Sequence, residues 1–499
     1  MKPIVLIHGY SAESRTADKK AVRKIYHSLP DDLREEFGGR NVVEVDLSRW
    51  ISLEDGVTLD DIALALDQAL TSPAFRHLRK KGFSVIIHST GALIVRKWVR
   101  GYTTPEACPL ERIMYLAGAN FGSGWAHLGK AQLSKWGRGV FAGAEVGEQV
   151  LNALELGASQ TLDLHLHFTR DGQRMAADYG VQEFCIIGSQ AAEQWYRRPM
   201  RYAREDGADG VVRVSSCNLN FNYVRIEATP EGKAIGWKEL QAENKRDLSE
   251  SHRTKCRQYY YFAQTWQATD DQATRIPFAI PYDCAHSGDK TGVVGGEKNR
   301  EQVKRLIRTA FGNRSWPNKI KAFEAEMAET YRLAAKRSVR PRWRQWVTEP
   351  ASQYDPHAQV ILRVFDQFGN DVKDMDVYFD SGPDDAEDGL SIRDLIEDKH
   401  VNQITPNVIC FYLRTEGHNK DRAQRGEPYP WDGRVPRVPG CYLEVSAQEA
   451  ETQDIQYLPL RIQFDHDMLT QWIRSHETTL IDVELQRLPS RDVYRIVRD

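Results

Sequence analysis

The chain has 499 residues, of which 41% are hydrophobic, 10% aromatic and 27% charged, the composition of a folded globular protein rather than a disordered or fibrous one. A formal net charge of -3 excludes any global electrostatic case for nucleic acid or a strongly anionic surface, so such a partner would need a local patch. The length exceeds what one core usually serves, so two or three domains are expected, and no apolar run is long enough for a membrane-spanning helix.

In chain order, "KPIVLIHGY" reads as a strand and turn from the third residue and not as a secretory leader, which implies a cytoplasmic protein or one exported without a cleaved signal peptide. Seven scattered cysteines without CxxC spacing read as reduced thiols. Strands are predicted over Ile4 to Ile7, Val42 to Val45, Ser84 to Ile87, Ile113 to Ala117, Glu183 to Ile187 and Phe278 to Pro281. Between them "LDDIALALDQALTSP" and "ALIVRKWVRGY" carry apolar residues at helical spacing. This alternation predicts an α/β fold, a mostly parallel sheet flanked by helices. Two insertions interrupt it: a Gly-rich amphipathic stretch over 123–180, and a polar stretch over 231–276 expected to be irregular or partly helical.

"EKNREQVKRLIRTAFGN" predicts a helix closing the first domain, and "NKIKAFEAEMAETYRLAAKRS" a further helix. From about Tyr354 the chain turns to short alternating strands such as "AQVILRVFDQFGNDV", "NVICFYLRTEG" and "TLIDVELQRL", the pattern of an all-β immunoglobulin-like sandwich. The expected plan is a catalytic domain over 1–315 with a cap or lid at 123–180, a helical linker over 316–350, and a β-sandwich over 351–499. No internal repeat is visible.

At "FSVIIHSTGALIVRKWV" a largely apolar run reading as a strand passes at once into a helix, with a serine at the turn. This is the pattern of a nucleophile elbow, which lifts the hydroxyl clear of the sheet and places helix N-terminal amides beside it. Ser89 is the candidate nucleophile. Of the usual Gly-x-Ser-x-Gly, Gly91 is present, while Ile87 stands where the first glycine would be. A serine at a strand end also fits an N-cap, so the motif needs companions. A hydroxyl requires a histidine base, and the base a carboxylate. An oxyanion site is available in "IVLIHGY", where the amide of Tyr10 would join that of Thr90 and His8 would serve as a turn residue.

With "VLIHGY", "IIHSTGALIVRKW", "MYLAGANFGSGWAHLG" and "DGVVRVSS" in that order, the chain resembles the α/β-hydrolase lipases and esterases over about residues 3–310. The third segment is similar to the "LA-x-P-x-x-GS" stretch of bacterial and lecithin:cholesterol acyltransferase-like lipases, with Ala119 where proline is common. The resemblance implies the order Ser, acid, His. Matching "DG-x-V-x-x-SS" then assigns the acid to Asp209, with Asp206 as the rival in a similar Asp-Gly pair; either also fits an ordinary turn. Of the later histidines, His357, His400, His418, His466 and His476 fall in the sandwich range and His252 has no strand before it. His286 follows "IPFAIPYDCA" in a strand-to-loop setting, where the resemblance places the base.

Other groups compete for attention. His165 and His167 form a His-x-His pair without a carboxylate or Cys cluster beside it, and the acidic loop over 380–389 lacks calcium-loop spacing. Arg332, Lys336, Arg337, Arg340, Arg342 and Arg344 mingle with Trp343 and Trp346, a stretch that fits either peripheral contact with anionic lipid or packing between domains. The 123–180 insertion fits a movable lid or a fixed cap, and either would roof an apolar acyl pocket. The expected activity is hydrolysis of carboxylic esters with hydrophobic acyl chains, as a lipase or phospholipase, with lipid as the partner, no nucleic acid, and no metal or cofactor in the chemistry. Acyl transfer by the same triad, or a non-catalytic protein on this fold, are the alternatives.

Overall fold

The computed structural model describes residues 2–7, 21–52, 54–126, 147–190, 205–229, 260–267, 275–338, 351–381, 391–415, 440–449 and 454–489. The chain divides into two compact units, the first drawn chiefly from Met1–Asn220 and Ala268–Pro356, the second from Phe221–Gln267, His357–Gly417 and Asp432–Asp499.

In the first unit β1 (Ile4–Ile7), β2 (Val42–Val45), β3 (Phe83–His88), β4 (Leu110–Leu116) and β5 (Gln182–Ile186) form a parallel sheet. The chain leaves it for β6 (Phe221–Ala228) and β7 (Tyr260–Gln267), and returns with β8 (Phe278–Ala279). The sheet order is β2-β1-β3-β4-β5-β8, and every pairing is parallel. Because β1 lies between β2 and β3, successive crossovers turn opposite ways there, which makes the carboxyl ends of β1 and β3 the switch point at which open α/β sheets hold their ligands. β3 is buried at every position, as a central strand covered on both faces must be.

The flanking helices form for local reasons. Thr58 and Asp61 exchange a capping box at the start of Leu59–Thr71, satisfying two amides that the helix cannot. That helix buries Ile62, Leu66, Ala69 and Leu70, and its Asp67 accepts from Trp98 Nε1 of Gly91–Tyr102 at 3.0 Å. Arg96 of the latter is buried in an ion pair with Glu183 of β5, to which Tyr115 also donates at 2.6 Å. The six described cysteines are free thiols.

The second unit holds a six-stranded sheet of order β11-β12-β9-β16-β6-β7, with β9 (His357–Asp366), β11 (Ile396–Val401), β12 (Val408–Arg414) and β16 (Thr478–Leu485). A three-stranded sheet joins β10 (Met375–Asp380), β13 (Gly440–Ala447) and β15 (Leu460–Asp465), and β14 (Ile455–Tyr457) pairs with β17 (Arg487–Pro489). One core takes Leu362, Val364 and Phe411 from the larger sheet and Phe379, Leu443 and Phe464 from the smaller. The β-rich C-terminal unit is therefore present, but β16 runs parallel to both β9 and β6, unlike the all-antiparallel immunoglobulin pattern.

The boundaries depart from the expected plan in two places. Residues 221–229 and 260–267, expected inside a continuous 1–315 domain, supply two strands to the second unit's sheet, and the aromatic-rich "YYFAQTWQ" is a strand within the stretch expected to be irregular. Ala351–Tyr354, expected to open the sandwich, is a short helical turn of the first unit. Within the first unit, the described part of the 123–180 insertion forms helices Glu148–Leu154 and Ser159–His167. Among the described residues no helix is long and apolar enough to cross a membrane.

Candidate active site

Ser89 stands between β3 and the helix Gly91–Tyr102 with φ at 54°, in the left-handed region that non-glycine residues avoid. The turn is held from both sides: Ser89 N–H donates to Leu116 at 3.1 Å, and its carbonyl accepts from Ala92 at 3.1 Å. Ile87 remains fully buried where the elbow motif usually has glycine. Room is found on the next strand's loop instead, where a Cβ on Gly118 would come within 3.0 Å of the Ala92 methyl. Thr90 occupies the helix N-cap, so its amide lies outside the helical ladder on the Ser89 side. Tyr10, the other expected oxyanion donor, lies outside the described residues, as does His8.

His286 reaches this elbow from the loop after β8. Its Nε2 lies 3.2 Å from Ser89 Oγ and its Nδ1 2.8 Å from Asp209 Oδ2. Asp209 is buried, and its other oxygen accepts the amides of Val211 and Val212 at 2.9 and 2.7 Å, which fixes the carboxylate toward the imidazole. The backbones are tied as well, His286 N–H donating to the Asp209 carbonyl at 3.1 Å. Of the two aspartates considered, it is thus Asp209 and not Asp206 that meets His286.

The acid turn is gripped by the loop after β4. Trp125 Nε1 donates to the Gly210 carbonyl at 2.7 Å and Ser123 Oγ to the Val211 carbonyl at 2.5 Å. The histidine loop in turn packs on Gly188 after β5, where a Cβ would fall 2.0 Å from the Cys284 carbonyl oxygen. That approach admits only glycine.

His88, the residue before the serine, supports the His286 loop. Its Nε2 hydrogen donates to the His286 carbonyl at 3.1 Å, and burial, with the neighbouring His286 second, pushes its pKa well below the ordinary histidine value, so it is neutral. Tyr26, which sequence reasoning missed, donates to the Ile7 carbonyl at 2.6 Å and lies 3.3 Å from that of Ile86, bridging the ends of β1 and β3. Nothing in "VRKIYHS" marks this tyrosine out, since its partners are backbone carbonyls on distant strands.

The remaining candidates fall elsewhere. His165 is fully buried with Nε2 2.5 Å from the Asn120 carbonyl, beneath the loop after β4. Among the described residues no cluster of His, Cys, Asp and Glu has the arrangement of a metal site. Arg332 pairs with Glu329 of its own helix, while Arg340, Arg342, Trp343, Arg344 and Trp346, His252, and most of the acidic 380–389 loop lie outside the described residues.

No protein-family model matches the sequence, and no curated protein sequence matches it. Among solved structures, phospholipase PlaB from Legionella pneumophila aligns with a TM-score of 0.74 at 24% identity, over 100% of this chain and 96% of that one. PlaB in complex with thio-NAD aligns with a TM-score of 0.73 at 23% identity, over 100% and 97%. The mature Bacillus licheniformis lipase BlEst2 reaches a TM-score of only 0.30 at 14% identity, over 44% of this chain and 79% of that one. The parallel sheet, the strained serine after β3 and the full-length likeness in fold agree: the chain has the α/β-hydrolase fold.

Proposed function

We propose that the protein is a serine hydrolase of carboxylic esters with hydrophobic acyl chains, a lipase or phospholipase. The observation that carries this reading is the continuous chain Ser89 Oγ to His286 Nε2 at 3.2 Å and His286 Nδ1 to Asp209 at 2.8 Å, set on a strained elbow. The full-length structural likeness to a phospholipase supports the substrate class.

Ser89 Oγ attacks the acyl carbonyl as His286 Nε2 takes its proton, and Asp209 stabilises the imidazolium and fixes its tautomer. The tetrahedral oxyanion is received by the Thr90 amide, with Tyr10 as the second donor. Collapse expels the alcohol, which carries away the proton from His286 and leaves an acyl-Ser89. Water, deprotonated by His286, then attacks the acyl group, releasing the carboxylic acid and restoring the serine. The chemistry uses no metal or cofactor at any step.

The test is hydrolysis of short esters, triglycerides and phospholipids by the protein and by Ser89→Ala, with fluorophosphonate labelling of both. Labelling and turnover in the native protein and neither in Ser89→Ala are expected; full activity in the variant overturns the assignment. Adding competing alcohol acceptors separates hydrolysis from acyl transfer through the products formed.

A further inference from the structure

We infer that Tyr354, together with the Gln353 backbone, is a positioning residue that pins the acid turn and the histidine loop to one frame; this rests on the hydrolase reading above. Both loops are long excursions from the sheet, and both must hold their side chains to a fraction of an ångström. The turn Ala351–Tyr354 touches each of them just upstream of its functional group.

On the acid side, the Gln353 carbonyl accepts from Gly207 N–H at 3.1 Å, two residues before Asp209, and also from the Ser189 hydroxyl. On the histidine side, the Tyr354 hydroxyl accepts from Asp283 N–H at 2.9 Å, three residues before His286. The same hydroxyl donates to Gln190 Oε1 at 2.6 Å, and Gln190 Nε2 returns to Asp283 Oδ1 at 2.8 Å. Tyr282 stacks on the Tyr354 ring, with centroids 5.5 Å apart and planes 18° off parallel.

Asp283 has φ at 56°, in the left-handed region that aspartate enters more readily than most non-glycine residues. The Tyr354 hydroxyl holds its amide and Gln190 its carboxylate, beside Asn299 on its carbonyl at 3.4 Å and Lys298 on Oδ2 at 3.3 Å. Tyr354 is buried to 1% exposure, so its hydroxyl is shielded from water. Neither Tyr354 nor Gln353 touches the reacting atoms; their effect passes through the height and tilt of the His286 imidazole over Ser89.

The experiment compares native protein, Tyr354→Phe, which keeps the ring stack and removes the hydroxyl, and Tyr354→Leu, which removes both. Turnover of a short ester is measured per active site, with sites counted by fluorophosphonate titration and exchange followed at the amides of 280–290. Expected for Tyr354→Phe are a kcat about tenfold lower with KM unchanged and faster exchange at Asp283, and a larger loss for Tyr354→Leu. An unchanged kcat per site in Tyr354→Phe, a change confined to KM, or a loss that vanishes once sites are counted each overturns the positioning role alone. A native protein that fluorophosphonate does not label overturns the hydrolase reading and the positioning role with it.

Discussion

The imidazole rings of His88 and His286 lie 4.7 Å apart, centroid to centroid, and the first donates to the backbone carbonyl of the second. One histidine thus holds the main chain of the other without sharing its protonation. Because burial keeps His88 neutral, His88 adds no ionisation of its own to the acid limb of activity. His88→Phe keeps the ring contact and strands the carbonyl, with an expected loss of about 1–2 kcal/mol of stability by thermal denaturation. The acid limb of kcat/KM is expected to keep its shape in that variant; a native profile with an ionisation that the substitution removes contradicts the neutral state of His88.

Asp209→Asn separates orientation from charge. The amide oxygen still accepts from Val211 and Val212, so the turn persists, while the amide nitrogen faces His286 Nδ1 and drives the proton onto Nε2. That tautomer cannot accept from Ser89. The expected result is native stability with kcat lowered about 10⁴-fold at neutral pH, measured with a short ester.

Gly188→Ala tests the seat of the histidine loop. The Cys284 carbonyl would have to retreat from a Cβ only 2.0 Å away, carrying with it the residues that lead to His286. A cost of about 1–3 kcal/mol is expected. Fluorophosphonate labelling of the folded fraction slows by about 100-fold. Unaltered labelling would show that the loop has slack.

In the second unit, burial, with the charge of His357 second, pushes His476 down to about 3. Burial works against the charged form of Glu397, yet the hydrogen bond from His357 and the charges of His357 and Arg414 hold its carboxyl down to about 2. Both groups take up protons more readily when unfolded, so the unfolded state binds more protons from about pH 6.5 downward and stability is lost as pH falls through 6.5 to 3. His476→Asn suits the φ of 65° there and removes the larger contribution. Acid unfolding, read by exchange at 357–366 and 478–485, is expected at lower pH in that variant, with about 2 kcal/mol retained at pH 4.

The sheet and the site were legible in the sequence to different degrees. β3 and the turn at Ser89 declare themselves because burial on both faces favours a mostly apolar run, here interrupted within the strand only by Ser84, and the polar break at its end is left to explain. Asp209 and His286 were legible through the order of motifs, not through local chemistry, since Asp206 presents the same dipeptide. What could not be read was partnership. The alternation in "FNYVRIEA" states that a strand exists and not which sheet receives it, and Tyr354 reads as a residue before a β segment until its hydroxyl is found on Asp283.

The excursion through β6 and β7 bears on how the protein is made. Tyr223 of β6 bonds Asp482 of β16 across 259 residues of sequence, at 2.8 Å, and among the described residues β6 pairs with β7 and β16 alone. During synthesis Ser89, Asp209 and His286 all emerge before β16, while the β6 edge waits for it. A ribosome-bound chain stopped before β16 would then carry the ingredients of the chemistry beside an open strand edge, the kind of edge that recruits wrong partners. Late pairing of such distant segments makes closure of the second sheet the slow step, and chaperone demand should fall once β16 is released.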